Sequence, residues 1–160
     1  MIYTIKLTRA EACLKAVLFI GANLALPQVF HLVPGAGIMF LPIYFFTAVA
    51  AMRYGWQLGL LTALLTPVLG SVLFGAPVMA MVPDMLLKGA FLSLAAALLV
   101  RKMGVGLLTS LIAVVGAWLA AGLVEWPVIG FSLAFQDFAT GIPGLLMMIL
   151  GSWLINKYIK

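Results

Sequence analysis

The sequence predicts an all-α integral membrane protein: a six-transmembrane-helix bundle with both termini cytoplasmic, forming a single membrane domain over residues 1–160. Three observations predict it. Hydrophobic residues make up 66% of the 160 and charged residues 8%, against roughly 45–50% and 25% in a soluble domain, and the mean hydropathy is +1.26. A bilayer-spanning helix takes about 20 residues, so the chain has room for about six spans and short loops, with no soluble domain beside them. A self-contained ATPase, a Rossmann domain and a receptor with a large ectodomain are thereby excluded. Basic residues punctuate the apolar runs and fall on one side if the spans alternate.

Span one covers residues 12–30 and ends near Pro27. Lys6, Arg9, Glu11 and Lys15 precede its apolar run, an order that resembles a signal peptide, but the further spans make it the first helix of the bundle. Gln28 to Gly37, with His31 and Pro34, forms the first loop. Span two covers 38–52 and stops at Arg53. Span three, 56–74, is followed by the turn-rich Gly75-Ala76-Pro77. Span four, 83–100, closes on Arg101-Lys102. Span five covers 105–124. A long irregular stretch, Glu125 to Gly141, leads to span six, 142–156, which ends at Lys157 and Lys160. Lys6, Arg9, Lys15, Arg53, Arg101, Lys102, Lys157 and Lys160 all lie on one face of this arrangement, which the positive-inside rule makes cytoplasmic. Length and polarity collect in the two loops of the outer face, where a binding surface is expected.

The formal charge of +5 comes from these scattered span ends, which form no phosphate-tracking stripe, so nucleic acid is not an expected partner. Cys13 is the single cysteine. It has no disulfide or metal-binding partner and reads as a small apolar residue.

Asp84 and Lys88, at i and i+4, share one helix face, with Lys88 about 6 Å deeper. A lysine inside a span is costly unless it faces a partner or an aqueous cavity. Two readings are open: Asp84 neutralises it or it snorkels outward, or it is a pocket cation that recognises a carboxylate, phosphate or other electronegative group. The second reading expects Lys88→Met to fold and lose ligand affinity. Pro83 leaves the positive end of span four aimed into the same pocket.

Glu125 with Trp126, and Gln136 with Asp137, bracket the last outer stretch. Trp126 is either an interfacial anchor or a stacking platform beside a carboxylate; Glu125 and Asp137 are either loop charges or ligand acceptors. The apolar Val128-Ile129 and Phe131 to Phe135 predict a loop that folds back as a lid. His31 is the only histidine, so a metal site is not expected, and it either hydrogen-bonds locally or touches ligand. Asn23 within span one marks an interhelical hydrogen bond or a ligand contact. Serine–histidine pairs within the spans, HExxH, aspartate-rich phosphotransferase motifs and a Walker sequence are all missing. No intrinsic catalysis, catalytic residue, metal or cofactor is therefore expected. Small-xxx-small pairs at Ala12–Ala16, Gly21–Ala25, Gly55–Gly59 and Gly116–Ala120 permit close helix approach.

Residues 26–102 carry an ordered set of features: a first helix ending in Pro27, a loop leading to Leu41-Pro42, a short helix, a Gly55-x-x-x-Gly59 turn, the Phe74-Gly75-Ala76-Pro77 turn, and a fourth helix closed by basic residues. This combination resembles the substrate-binding S component of energy-coupling factor (ECF) transporters. The resemblance implies a receptor for a vitamin or related micronutrient in the cytoplasmic membrane of a bacterium or archaeon. It implies a ligand held near the outer face by the loop after span one and by spans four to six. It also implies partners: a transmembrane coupling subunit and two cytoplasmic ATPases that drive import. The family's small-residue motif on the first helix would fall on Ala12 and Ala16, with Gly21–Ala25 as a rival. A small structural or assembly subunit and a stand-alone permease remain the alternatives.

Overall fold

The fold is described here from a computed structural model for residues 8–30, 32 and 39–159. Most of these residues are helical, with no strand among them. Helix α1 (Arg9–Phe30) starts from a capping box: the Glu11 carboxylate accepts from the Thr8 backbone N–H and hydroxyl, both at 2.9 Å. The helix runs through Pro27 to Phe30, so part of the expected first loop is helical.

After Leu41, a one-turn 3₁₀ segment (Pro42–Tyr44) leads into α2 (Phe45–Tyr54). Leu41 has φ 47, a left-handed conformation unusual for a branched side chain. It breaks the chain direction where span two was expected to begin. At ten residues α2 rises only about 15 Å, half the hydrocarbon thickness. Thr47 to Met52 are all buried, because α2 lies at the centre of the bundle and touches α1 and the helices described next.

Gly55 turns the chain into α3 (Trp56–Phe74). A Cβ at Gly59 would lie 2.5 Å from that of Ala51, so the Gly55–Gly59 pattern serves close packing of α2 on α3. Thr62 and Thr66 are buried in α3 and donate to Leu58 O and Thr62 O, which satisfies their hydroxyls within the helix. A turn with a 3₁₀ piece at Met79–Met81 precedes α4 (Val82–Met103), and α5 (Leu107–Ile129) follows. The stretch expected to be irregular is instead the end of α5 and a ten-residue helix, α6 (Phe131–Thr140). Pro127 sits in the last turn of α5, where the hydrogen bond it withholds from the Leu123 carbonyl interrupts the helix only one turn before its end. Finally α7 (Ile142–Tyr158) returns, bent 51° from α6.

Among the described residues, four helices are long and apolar enough to cross a membrane, or five if α6 and α7 form one broken span. The expected second span falls on α2, which at ten residues is too short to cross by itself. The outward faces of α1, α3 and α5 carry exposed Leu and Val side chains, as contact with lipid tails permits. Apart from Lys88, the described basic residues gather at one end of the bundle: Arg53 donates to Ile159 O, Lys15 lies over the Tyr54 ring at 5.0 Å, and Arg101 and Lys102 close α4. The core is centred on Tyr44, Ala48, Leu92, Trp118 and Met148, with the Tyr44 and Trp118 rings edge-on at 5.0 Å.

Close approach also fixes α7. A Cβ at Gly144 would lie 2.5 Å from the Phe40 carbonyl, whereas one at Gly116 would meet nothing. Gly144→Leu is therefore expected to destabilise the protein by about 1–3 kcal/mol and Gly116→Leu to be near neutral; thermal unfolding in detergent compares them, and equal melting temperatures would contradict this packing.

Candidate functional site

The site is at the end of the bundle opposite the basic cluster. Lys88, two turns into α4, is 4% exposed. Its Nζ contacts Asp84 Oδ1 and Oδ2 at 2.8 and 2.7 Å, Asp137 Oδ2 at 3.0 Å and Glu125 Oε1 at 3.2 Å. Three helices thus converge on one ammonium: α4 through Asp84, α5 through Glu125 and α6 through Asp137. They bring three of the four acidic residues in the chain to it.

Helix α4 supplies the first pair because Asp84 and Lys88 are one turn apart. Glu125 is near the end of α5 and is 8% exposed. Asp137 comes from α6, whose Gly130 start lets it fold back over the bundle end. The lid expected from this stretch is thus a short helix tied down by an ion pair. Lys88 does not snorkel; its charge is satisfied inside.

The free pocket cation expected from the sequence is not what the side chains form. The ammonium donates to Asp84 Oδ1 and Oδ2, and Asp137 and Glu125 add ion-pair contacts, with Glu125 Oε1 buried and without a hydrogen-bond partner among the described residues. Fully ionised, the cluster carries two formal negative charges in excess. Of the two readings open for Lys88, the side chains form the one in which carboxyls of this chain neutralise it, and a carboxylate or phosphate ligand would meet like charge at the cavity wall.

Beside the cluster lies a cavity of about 360 Å³, within the range of small-molecule sites. Its walls come from α1 (Asn23, Leu24, Pro27, Gln28), the segment Leu41 to Tyr44, the end of α3 and its following turn (Gly70, Phe74, Ala76 to Val78), Met81 at the start of α4 with Asp84, Met85 and Lys88 inside it, and Asp137. Met81, Asp84, Met85 and Lys88 follow helical spacing along one face, so three of them were recoverable by reading outward from Lys88. Leu41 and Tyr44 had no comparable signal, because a left-handed Leu-Pro turn is not specified by its residue types.

The other expected site residues divide. Asp84, Lys88 and Asp137 line the cavity, and Glu125 supports it through Lys88. Asn23 lines it too, but its side chain is committed: Nδ2 donates to Thr47 Oγ1 at 3.0 Å and Oδ1 accepts from Phe46 N at 2.9 Å. Trp126 points away, half exposed and edge-on to Phe131 at 5.3 Å. Gln136 is exposed and outside the cavity wall. His31 lies outside the described residues. Ala16 is buried against Ile20, Ala50 and Leu58, and Ala12 is half-buried; Ala16 packs inside this chain and offers no surface to a separate subunit. Gly21 and Ala25 are on the exposed face of α1. Among the described residues no three His, Cys, Asp or Glu side chains are grouped to hold a metal ion.

No known protein family, curated protein or solved structure matches this chain. The resemblance to S components therefore rests on the ordered sequence features alone.

Removing the ammonium leaves three carboxyls facing one another, so Lys88→Met is expected to cost on the order of 3–5 kcal/mol. Asp137→Asn is expected to cost far less, because two carboxyls still hold Lys88 and Asp137 is 41% exposed. Chemical unfolding in micelles ranks the two, and a Lys88→Met protein as stable as the parent would contradict the cluster.

Proposed function

We propose that the chain is a membrane-embedded binding protein for a small organic molecule, acting as the S component of an ECF-type importer. The observation that carries this reading is the cavity of about 360 Å³ at one end of the bundle, apolar on most of its wall and charged on one side. That division is typical of small-molecule sites, where apolar contact supplies affinity and a few polar groups fix orientation. The ordered features over residues 26–102 add the family to it, and with it a vitamin-like micronutrient as ligand.

On this reading the segment from Leu41 to α2 counts as a broken span, giving six crossings in a bacterial or archaeal cytoplasmic membrane. The basic end, with both termini, faces the cytoplasm, in line with the positive-inside rule, and the cavity opens outward. Energy comes from a transmembrane coupling subunit and two ATPases. The exposed Gly21–Ala25 face of α1 is a better-placed contact for the coupling subunit than Ala12–Ala16.

A structural subunit without ligand is the second reading, favoured by one observation: Lys88 is satisfied internally by three carboxyls. Native mass spectrometry of the gently purified protein separates the two. A small molecule that stays bound, is lost on unfolding, and is absent from a Met85→Trp variant that fills the cavity is the expected result. An empty protein that no vitamin or nucleobase stabilises would favour the structural reading.

A further inference from the structure

The charged wall of the cavity has a surplus of acceptors and a shortage of donors. Lys88 donates to both oxygens of Asp84 and pairs ionically with Asp137 and Glu125. The carboxyls are not exhausted in return. Asp137 meets Lys88 through Oδ2 alone, and its Oδ1 has no partner among the described residues. Asp84 and Asp137 both line the cavity, with 40% and 41% of their side chains exposed, whereas Lys88 behind them is 6% exposed. A molecule entering the cavity therefore meets carboxylates before it meets the ammonium.

A separate observation indicates that this wall is built for an occupant. Tyr44 is 3% exposed and lines the cavity, yet its hydroxyl has no hydrogen-bond partner among the described residues. The hydroxyl is not one of the fully enclosed unpartnered atoms, and as part of the cavity wall it can take from an occupant the hydrogen bond that a phenol ordinarily finds. Its ring is held edge-on by Trp118, so the hydroxyl is offered in a fixed place.

We infer that the ligand is a small organic cation, an inference that rests on the binding function proposed above. A protonated amine or amidinium group sits against Asp84 and Asp137, forming charge-assisted hydrogen bonds with Asp137 Oδ1 and with the remaining lone pairs of the Asp84 carboxylate. An apolar body extends along Leu41, Phe74 and Met85, and the Tyr44 hydroxyl bonds a polar group of the ligand. Lys88 is the internal counter-ion that holds the carboxylates in position and keeps their mutual repulsion tolerable.

The test uses the full chain in lipid nanodiscs with two matched probe sets at millimolar concentration: tryptamine, indole-3-acetamide and indole-3-acetate, and phenethylamine, phenylacetamide and phenylacetate. Thermal shift and titration calorimetry are the readouts. The amines are expected to raise the melting temperature and to bind roughly tenfold or more tightly than their amide and carboxylate counterparts. Asp137→Asn should weaken amine binding roughly ten- to hundredfold while its own melting temperature stays near that of the parent. Equal or tighter binding of the carboxylates or amides would overturn the inference and leave the binding function standing. So would a neutral or anionic molecule retained in native mass spectrometry. Failure of every probe, together with an empty protein in that measurement, would overturn the binding function itself and the inference with it.

Discussion

A lysine ammonium enclosed in a membrane bundle is the constraint on which the rest of this structure depends. Lys88 has no route to water along its own side chain, so its charge is tolerable only if acceptors are brought to it. Asp84 comes at no topological cost, one turn away on the same helix. Glu125 and Asp137 require α5 to end near α4 and α6 to fold back over both. The fold at this end of the bundle is thus organised around one atom. The cavity beside it inherits its acidic wall from that arrangement.

The opposite design rule governs the middle of the bundle. There the middle of α2 is enclosed by other helices, and its residues are small or slender: Thr47, Ala48, Val49, Ala50, Ala51 and Met52 are all buried. Glycines on the neighbours, Gly59 and Gly144, admit its backbone and that of the segment before it. The left-handed Leu41 is held in this crowd, with Gly144 against it. It forms part of the cavity wall, where an unusual backbone conformation is often retained for function.

The membrane class and most helix positions were legible in the sequence, because hydrophobic runs of about 20 residues have few alternatives. The Asp84–Lys88 pair was legible for the same reason that helices are periodic. What could not be read was three-dimensional: that Glu125 and Asp137 close on Lys88, which reverses the charge the cavity presents. Helix α6 was hidden behind Pro127, Gly130 and Gly141, residues that mark loops as often as helix ends. The half-length of α2 was hidden because a buried ten-residue helix and half of a membrane span share the same composition. Ala12–Ala16 and Gly21–Ala25 have the same spacing, and only packing distinguishes the inward pair from the outward one.

The most direct test of the central claim is a double-mutant cycle between Lys88 and Asp137, with Lys88→Met and Asp137→Asn singly and together and unfolding free energies measured in micelles. The structure predicts a coupling of about 0.5–3 kcal/mol, with Asp137→Asn costing less in the Lys88→Met background than in the parent. Additive effects would mean that α6 does not close on Lys88, and would contradict the cluster from which the acidic cavity is derived.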